Sequence, residues 1–273
     1  MRQQDIELVD GRTLRAYDAG PADALAVIWH HGSPQTGAPL PPLLEAAAQR
    51  GIRLISYARP SYGGSSPDRG RTVASAAGDV ARLADALDVP ELAVMGASGG
   101  GPHALACAAL LPGRVVAAAC LAGLAPRVGD LDYFAGMASP GGLRAALDGR
   151  DARARYAETE EFDEASFTLA DWAALAGPWS SLGADAGAAG AASPDGLIDD
   201  DVAFVAPWGF DLDAIEAPVL VVHGGEDRIV PPAHADWLVR HCPNPELWLR
   251  PGDGHVSVLN AAPLALDWLR QRA

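Results

Sequence analysis

Apolar residues come in short bursts along most of this chain, and between the bursts they recur at helical spacing. Ile6 to Val9 and Thr13 to Tyr17 flank Asp10-Gly11, a strong hairpin signal. From there strands and helices alternate. Leu25 to His30, Ile52 to Tyr57, Glu91 to Met95 and Val115 to Leu121 read as buried strands, and Leu40 to Arg50, Val73 to Leu87 and His103 to Leu111 read as helices. The pattern resumes near the carboxyl end with a strand over Pro218 to His223, a helix over Ala233 to His241, a strand over Glu246 to Arg250 and a last helix ending near Arg270. An antiparallel entry followed by repeated strand-helix units predicts the α/β class, with a mostly parallel sheet covered on both faces.

The alternation fails between Pro126 and Phe210, which marks an insertion. Within it, Leu182 to Gly196 is rich in alanine and glycine and predicts a loop or hinge, with a weak helix in the alanines as the alternative. The insertion holds 10 of the 17 aromatic residues of the chain, Tyr133, Phe134, Phe162, Phe167, Trp172, Trp179, Phe204 and Trp208 among them. Two accounts fit. The aromatics line an apolar pocket, for which Tyr133, Trp172 and Trp179 are the candidate substrate contacts, or they anchor a small unit to the sheet. The insertion also carries 15 acids against 5 arginines, for which the simplest account is a solvent-facing surface.

Charge narrows the possible partners. The chain of 273 residues has a formal net charge of −15, and its 20 bases are all arginine. Nucleic acid, whose phosphates need a basic surface, is excluded as a partner. No uninterrupted apolar run reaches the roughly 18 residues of a membrane span. The polar start, Met1-Arg2-Gln3-Gln4-Asp5, has no apolar core of the kind a secretory signal needs. Cys107, Cys120 and Cys242 are few, odd in number and far apart, which fits free thiols in a reducing compartment. These features predict a soluble cytoplasmic protein; they do not specify an oligomeric state.

The chemistry centres on Gly96-Ala97-Ser98-Gly99-Gly100, where a predicted strand turns into a predicted helix. A serine between glycines on such a turn reads as a nucleophile elbow, with Ser98 the candidate nucleophile. A serine hydroxyl needs a base to take its proton. Of the 7 histidines, His255 lies in the loop after the last strand, at the carboxyl edge of the sheet where open α/β folds bind ligands. His234 and His241 fall on an amphipathic helix and are expected at the surface, while His223 ends a strand and is expected to be structural. His103, inside the helix after the elbow, is a minor candidate for substrate contact.

The base needs a carboxylate to fix its tautomer. Asp227, in the loop after the penultimate strand, completes the order Ser, Asp, His. Asp130 and Asp132 are the alternatives, Glu226 is expected to point away from the site, and Asp253 reads as a turn residue. Two donors must meet the oxyanion. The backbone N–H of Gly99 is one; the other is assigned to Ser33 in His30-His31-Gly32-Ser33-Pro34, where Gly32 permits a tight turn. His30 and His31 have no partner at ligand spacing, so no metal site is expected. A dinucleotide site at Gly96 to Gly101 fails because Ser98 replaces the middle glycine of the phosphate-binding pattern.

With these motifs, and with Arg59-Pro60-Ser61-Tyr62-Gly63-Gly64-Ser65, the chain resembles the α/β-hydrolase fold family. The resemblance implies an eight-stranded, mostly parallel sheet flanked by helices. It implies a core over residues 1–125 and 211–273 and a mainly helical cap over 126–210, inserted after the sixth strand. Ala58 and Ser61 depart from the arginine-proline signature of the family, whose role is expected to be structural.

Relatives that open epoxides or displace halide use aspartate at the elbow, so Ser98 favours acyl transfer. The expected activity is hydrolysis of a small, mainly apolar or neutral carboxylic ester, with no metal or organic cofactor. Proline iminopeptidase-like amide hydrolysis is the nearest competitor, with Glu158, Glu160 and Glu161 holding a substrate amine, although the Gly-Gly-Ser-Trp-Gly elbow of those peptidases is absent. Carbon-carbon bond hydrolysis is also compatible with the motifs, and so is a catalytically idle small-molecule sensor.

Overall fold

A computed structural model describes residues 1–273. Eight strands form one sheet in the order β1-β2-β4-β3-β5-β6-β7-β8. They are β1 (Arg2–Glu7), β2 (Thr13–Ala19), β3 (Ala26–His30), β4 (Arg53–Tyr57), β5 (Leu92–Ala97), β6 (Val115–Leu121), β7 (Val219–Gly224) and β8 (Pro245–Arg250). β1 pairs antiparallel with β2, β2 pairs antiparallel with β4, and every other neighbour is parallel. The first strand begins earlier than the apolar pattern predicts. Its residues Arg2 to Asp5 are polar and lie at the sheet edge, so their strand conformation comes from the ladder with β2 and leaves no alternation to read.

β3, β4, β5, β6 and β7 are buried at every position or all but one, which is why they are mainly apolar, with Arg53 and Ser56 of β4 and the histidines near the ends of β3 and β7 as the polar exceptions. One face of the sheet packs α2 (Ser75–Ala86), α3 (Gly100–Leu110) and α9 (Ala233–His241); the other packs α1 (Pro41–Gln49) and α10 (Ala262–Arg270). α3 is apolar on all sides because nearly every one of its residues is buried. No helix is long and apolar enough to cross a membrane. All three cysteines are free and buried, and burial pushes the Cys120 and Cys242 thiols up to about 12.

Between β6 and β7 the chain forms α4 (Gly141–Ala146), α5 (Arg150–Ala157), α6 (Leu169–Ala176), α7 (Ser180–Ala192) and α8 (Asp195–Val205). α7 occupies most of the stretch expected to be a loop or hinge. Alanine has the highest helix propensity, and tertiary contacts settle the balance against three glycines. The Asp185 carboxylate accepts hydrogen bonds from Thr36 Oγ1 at 2.5 Å and Thr36 N at 3.2 Å, which fastens α7 to the loop after β3.

The acids of the insertion are not all solvent-facing, contrary to expectation. Asp171, Asp199, Asp200 and Asp201 are buried. Asp200 accepts from Arg59 at 2.6 Å, Arg71 at 2.7 Å, Tyr62 at 3.0 Å and Ser33 Oγ at 2.5 Å. Arg59 of the arginine-proline segment and Arg71 beyond it are thus neutralised by a helix of the insertion. Ser61 adopts φ 72°, a left-handed conformation unfavourable for a side chain, and its hydroxyl donates to Asp199 at 3.0 Å.

Candidate active site

Topology brings the site together. β3 is flanked by β4 on one side and β5 on the other, so successive connections leave in opposite directions and open a crevice at the carboxyl ends of β3 and β5. The loop after β3 carries Ser33, and the turn after β5 carries Ser98. Ser98 has φ 52°, the strained geometry of an elbow, and its N–H donates to Leu121 O at 2.9 Å.

The elbow requires glycines on both sides. A Cβ on Gly96 would stand 2.2 Å from Gly100 O, and one on Gly100 would stand 1.9 Å from His30 O. Gly32 is different: its backbone is not left-handed, and its N–H donates to Gln35 Oε1 at 2.5 Å. A Cβ there would stand 3.2 Å from Gln35 Oε1, so the glycine leaves room for the side chain that its N–H meets.

His255 Nε2 lies 2.9 Å from Ser98 Oγ, and His255 Nδ1 lies 2.8 Å from Asp227 Oδ2. With Nδ1–H donating to the carboxylate, Nε2 is the free acceptor for the serine proton. The other Asp227 oxygen accepts from Ile229 N and Val230 N, both at 2.9 Å, so the carboxylate is held at both ends. The loops carrying acid and base pass at backbone contact. A Cβ on Gly224 would come within 2.4 Å of Gly254 O. Burial drives the His255 imidazole down, but the Asp227 charge, its hydrogen bond and the Asp171 charge outweigh it, leaving His255 above the ordinary value of 6.5.

The N–H groups of Ser33 and Gly99 donate to no other group of the chain. The two residues are neighbours, since a Cβ on Gly99 would be 2.4 Å from Ser33 Oγ. Ser98, Ser33 and His255 are each partly exposed, whereas Asp227 is buried.

The other histidines divide as follows. His223 is buried, and its Nε2–H donates to Val230 O at 2.7 Å. His241 is half exposed and stacks on Trp237. His234 is not at the surface as expected: α9 turns it inward, where its Nδ1 accepts from Ala125 N at 3.1 Å and its Nε2–H donates to Tyr133 O at 3.0 Å. Burial pushes it down to about 4, so it stays neutral. His103 Nδ1–H donates to Gly99 O at 2.7 Å, and its ring stacks on His30. It supports the elbow from below, and burial holds it at about 3.

Of the acidic alternatives, Asp130 accepts from Trp237 Nε1 at 3.0 Å, and Asp132 and Glu226 are exposed. Asp253 pairs with Arg250.

Tyr133 and Trp179 are buried. Tyr133 packs its ring edge against His234, and Trp179 donates Nε1–H to Asn260 at 3.0 Å. Trp172 is 41% exposed and joins Phe162 and Phe167 in an outer aromatic cluster. These placements suit anchoring for Tyr133 and Trp179. Phe204 of α8 also brings its ring to the elbow, where its Cζ would be 2.9 Å from a Cβ on Gly99.

Three groups near the site escape a reading of the sequence: Phe204, Asp200 and Asp171. Only Asp171 has a local signal, the Thr168-Leu-Ala-Asp171 capping box that starts α6. Glu160, a candidate for holding a substrate amine, pairs with buried Arg153 at 2.8 Å, and Glu158 and Glu161 are exposed. A depression of about 740 Å3 lined by Arg127, Trp208, Phe210 and Trp237 lies away from Ser98 and contains none of these groups.

A non-heme chloroperoxidase of Streptomyces lividans is 31% identical over 251 residues, covering 83% of this chain and 83% of that protein. A bromoperoxidase structure from Bacillus anthracis superposes with a TM-score of 0.76 at 23% identity, covering 99% of this chain and 98% of that one. A thermophilic esterase from Thermogutta terrifontis gives 0.71 at 21% identity, covering 99% of each chain. At such identities the two structures show a shared fold. The family model described as alpha/beta hydrolase fold matches residues 26–262, and with the sheet order and the sequence relative it establishes that the chain belongs to the α/β-hydrolase fold family.

Proposed function

We propose that this protein is a serine hydrolase that cleaves a small, mainly apolar or neutral carboxylic ester through an acyl-enzyme. The observation that carries this reading is the unbroken chain of hydrogen-bonding contacts from Ser98 through His255 to Asp227, at 2.9 and 2.8 Å. Ser98 Oγ attacks the carbonyl carbon while His255 Nε2 takes its proton. The tetrahedral oxyanion receives the N–H groups of Ser33 and Gly99, which no other partner occupies. Collapse expels the alkoxide, protonated by His255, and leaves the acyl group on Ser98. Water, deprotonated by His255, then attacks the ester, and the second collapse releases the acid and restores Ser98.

Asp227 keeps Nδ1 protonated and stabilises the imidazolium. The helices between β6 and β7 serve as the cap; Trp172 is the one exposed aromatic among the candidate contacts, and Phe204, buried on α8, packs against the elbow. The pairing of Glu160 with Arg153 lowers the standing of amine recognition, and with it the aminopeptidase reading. A second reading follows from the chloroperoxidase relative: halogenation dependent on a peroxide.

Incubation with a fluorophosphonate should label Ser98, and short p-nitrophenyl esters should turn over. His255→Ala should lower turnover on the order of 10^6-fold while the thermal midpoint stays near that of the parent. Absence of both labelling and turnover would remove the hydrolase reading and leave the halogenation and sensor readings. Halogenation of an organic acceptor with hydrogen peroxide and chloride, undiminished in Ser98→Ala, would favour the second reading.

A further inference from the structure

Asp171 is fully buried on α6, yet its carboxylate reaches across to the loop that holds His255. Oδ1 accepts from Val256 N at 2.8 Å, Ser257 N at 2.8 Å and Ser257 Oγ at 3.0 Å. Oδ2 accepts from Thr168 N and Thr168 Oγ1, both at 2.9 Å, which closes the capping box at the start of α6. Ser257 Oγ in turn accepts from Gly254 N at 2.8 Å. The backbone on both sides of His255 is therefore tied to one carboxylate that belongs to a different part of the fold. The fit is close. A Cβ on Gly254 would stand 2.1 Å from Asp171 Oδ2, so glycine at 254 is the condition for the carboxylate to enter.

A carboxylate used only as a helix cap needs the contacts of one oxygen. Here the second oxygen is spent entirely on the loop after β8, and its charge is turned towards a titrating imidazole. We propose that Asp171 is a positioning residue for His255, fastening the base loop to the helical insertion so that Nε2 meets Ser98 and the imidazolium faces a second anion. This inference rests on the reading of His255 as the base.

The charged and titratable groups that face His255 are Asp227 from the loop after β7, Asp171 from α6 and, behind Asp227 at 3.6 Å, His223 at the end of β7. Burial drives the His223 imidazole below its ordinary value, which disfavours a charge opposing that of His255. Burial pushes the Asp171 carboxyl up, but the hydrogen bonds from Ser257, Thr168 and Val256 outweigh it and keep it below the ordinary carboxylate value. It is therefore an anion throughout the range in which the base titrates. Removing it should let the imidazole lose its proton at lower pH.

The test uses Asp171→Asn, which keeps the size and one acceptor but removes the charge, and Asp171→Ala, which removes both. Ser257→Ala is the milder variant should Asp171→Ala prevent folding. Hydrolysis of p-nitrophenyl acetate, the pH dependence of fluorophosphonate labelling, and the His255 imidazole titration followed by NMR in a Ser98→Ala background are the readouts.

The expected loss of kcat is roughly 10-fold for Asp171→Asn and roughly 100-fold for Asp171→Ala, of the order a misplacement near 1 Å causes, with KM within about twofold. Ser257→Ala should show a smaller loss in the same direction. The acid limb of labelling and the imidazole midpoint should both move to lower pH in Asp171→Asn. A rise in KM with kcat and both midpoints unchanged would overturn the proposal and reduce Asp171 to an anchor of the insertion. If the parent protein neither labels nor turns over ester, the hydrolase reading fails on its own. The NMR midpoint still decides the placement, and an unchanged value in Asp171→Asn would overturn it.

Discussion

Replacing Asp200 by alanine should cost more stability than almost any other change of one polar residue in this chain. Its carboxylate is wholly buried, as are Arg59 and Arg71 beside it, at 1% and 3% exposure. Asp200→Ala leaves two guanidinium groups without a counter-charge in a site closed to water, and strips Tyr62 and Ser33 of a common acceptor. Removing one partner of a buried ion pair costs about 3–5 kcal/mol, because the remaining charge stays desolvated. Against a total of roughly 5–15 kcal/mol for a domain, that is at least about a fifth of the reserve. At about 2–4 °C per kcal/mol for a chain of this size, the thermal midpoint should fall by roughly 10 °C.

Urea unfolding measures the loss directly, with an unchanged slope showing that the unfolded state is the same. The pH dependence supplies a second check. Burial pushes the Asp200 carboxyl up, but the Arg59 and Arg71 charges pull it well below the ordinary 3.8. A carboxyl depressed in the folded state contributes stability that is present above its unfolded value and lost as pH falls through its folded one. The gap between parent and Asp200→Asn should therefore be full at pH 7 and narrow once the pH drops below 3.8. A loss under about 1 kcal/mol, the size of an exposed pair, would show that water reaches the cluster and would refute the reasoning.

Two other outcomes follow from distances. Gly96→Ala should cost about 3 kcal/mol or more, since the new Cβ would meet the Gly100 carbonyl at 2.2 Å and backbone cannot swing aside; Gly252→Ala, with nothing within 4 Å, should stay within about 0.5 kcal/mol. Equal thermal midpoints for the two variants would contradict this. The acid limb of kcat/KM for ester hydrolysis should have its midpoint above pH 6.5, because hydrolysis needs neutral His255 and the two nearby carboxylates hold its proton on. A midpoint at or below 6.5 would mean that desolvation dominates the imidazole.

The elements legible in the sequence are those whose burial is uniform. β5 and nearly all of α3 are enclosed, so every residue there but His103 is apolar or glycine, and the elbow between them has to be small at Gly96 and Gly100. The start of the edge strand β1 and the alanine-glycine helix α7 escape the pattern for one shared reason. Their conformations are stabilised by partners far along the chain, a ladder with β2 and the Thr36 contacts of Asp185, and not by a local pattern.

His234 departs from expectation because a histidine on an amphipathic helix carries no mark of which face it occupies. The backbone N–H of Ala125 and the carbonyl of Tyr133 meet it inside the fold.

By itself the sequence determined the order of strands and helices outside the insertion, the serine on a strand-to-helix turn, and a histidine and an aspartate in loops after the last two strands. Those follow from local chemistry: apolar runs, glycines at a strained turn, and loops at strand ends. Only the tertiary structure decided that Ser98, His255 and Asp227 meet within hydrogen-bonding distance, and that Asp171 and Asp200 point inward and not to solvent. An acid's charge is the same in either setting, and what decides its burial is whether compensating donors converge on it. Those donors, Arg59, Arg71, Val256 and Ser257, lie some 85 or more residues away in the chain, beyond the reach of any local pattern.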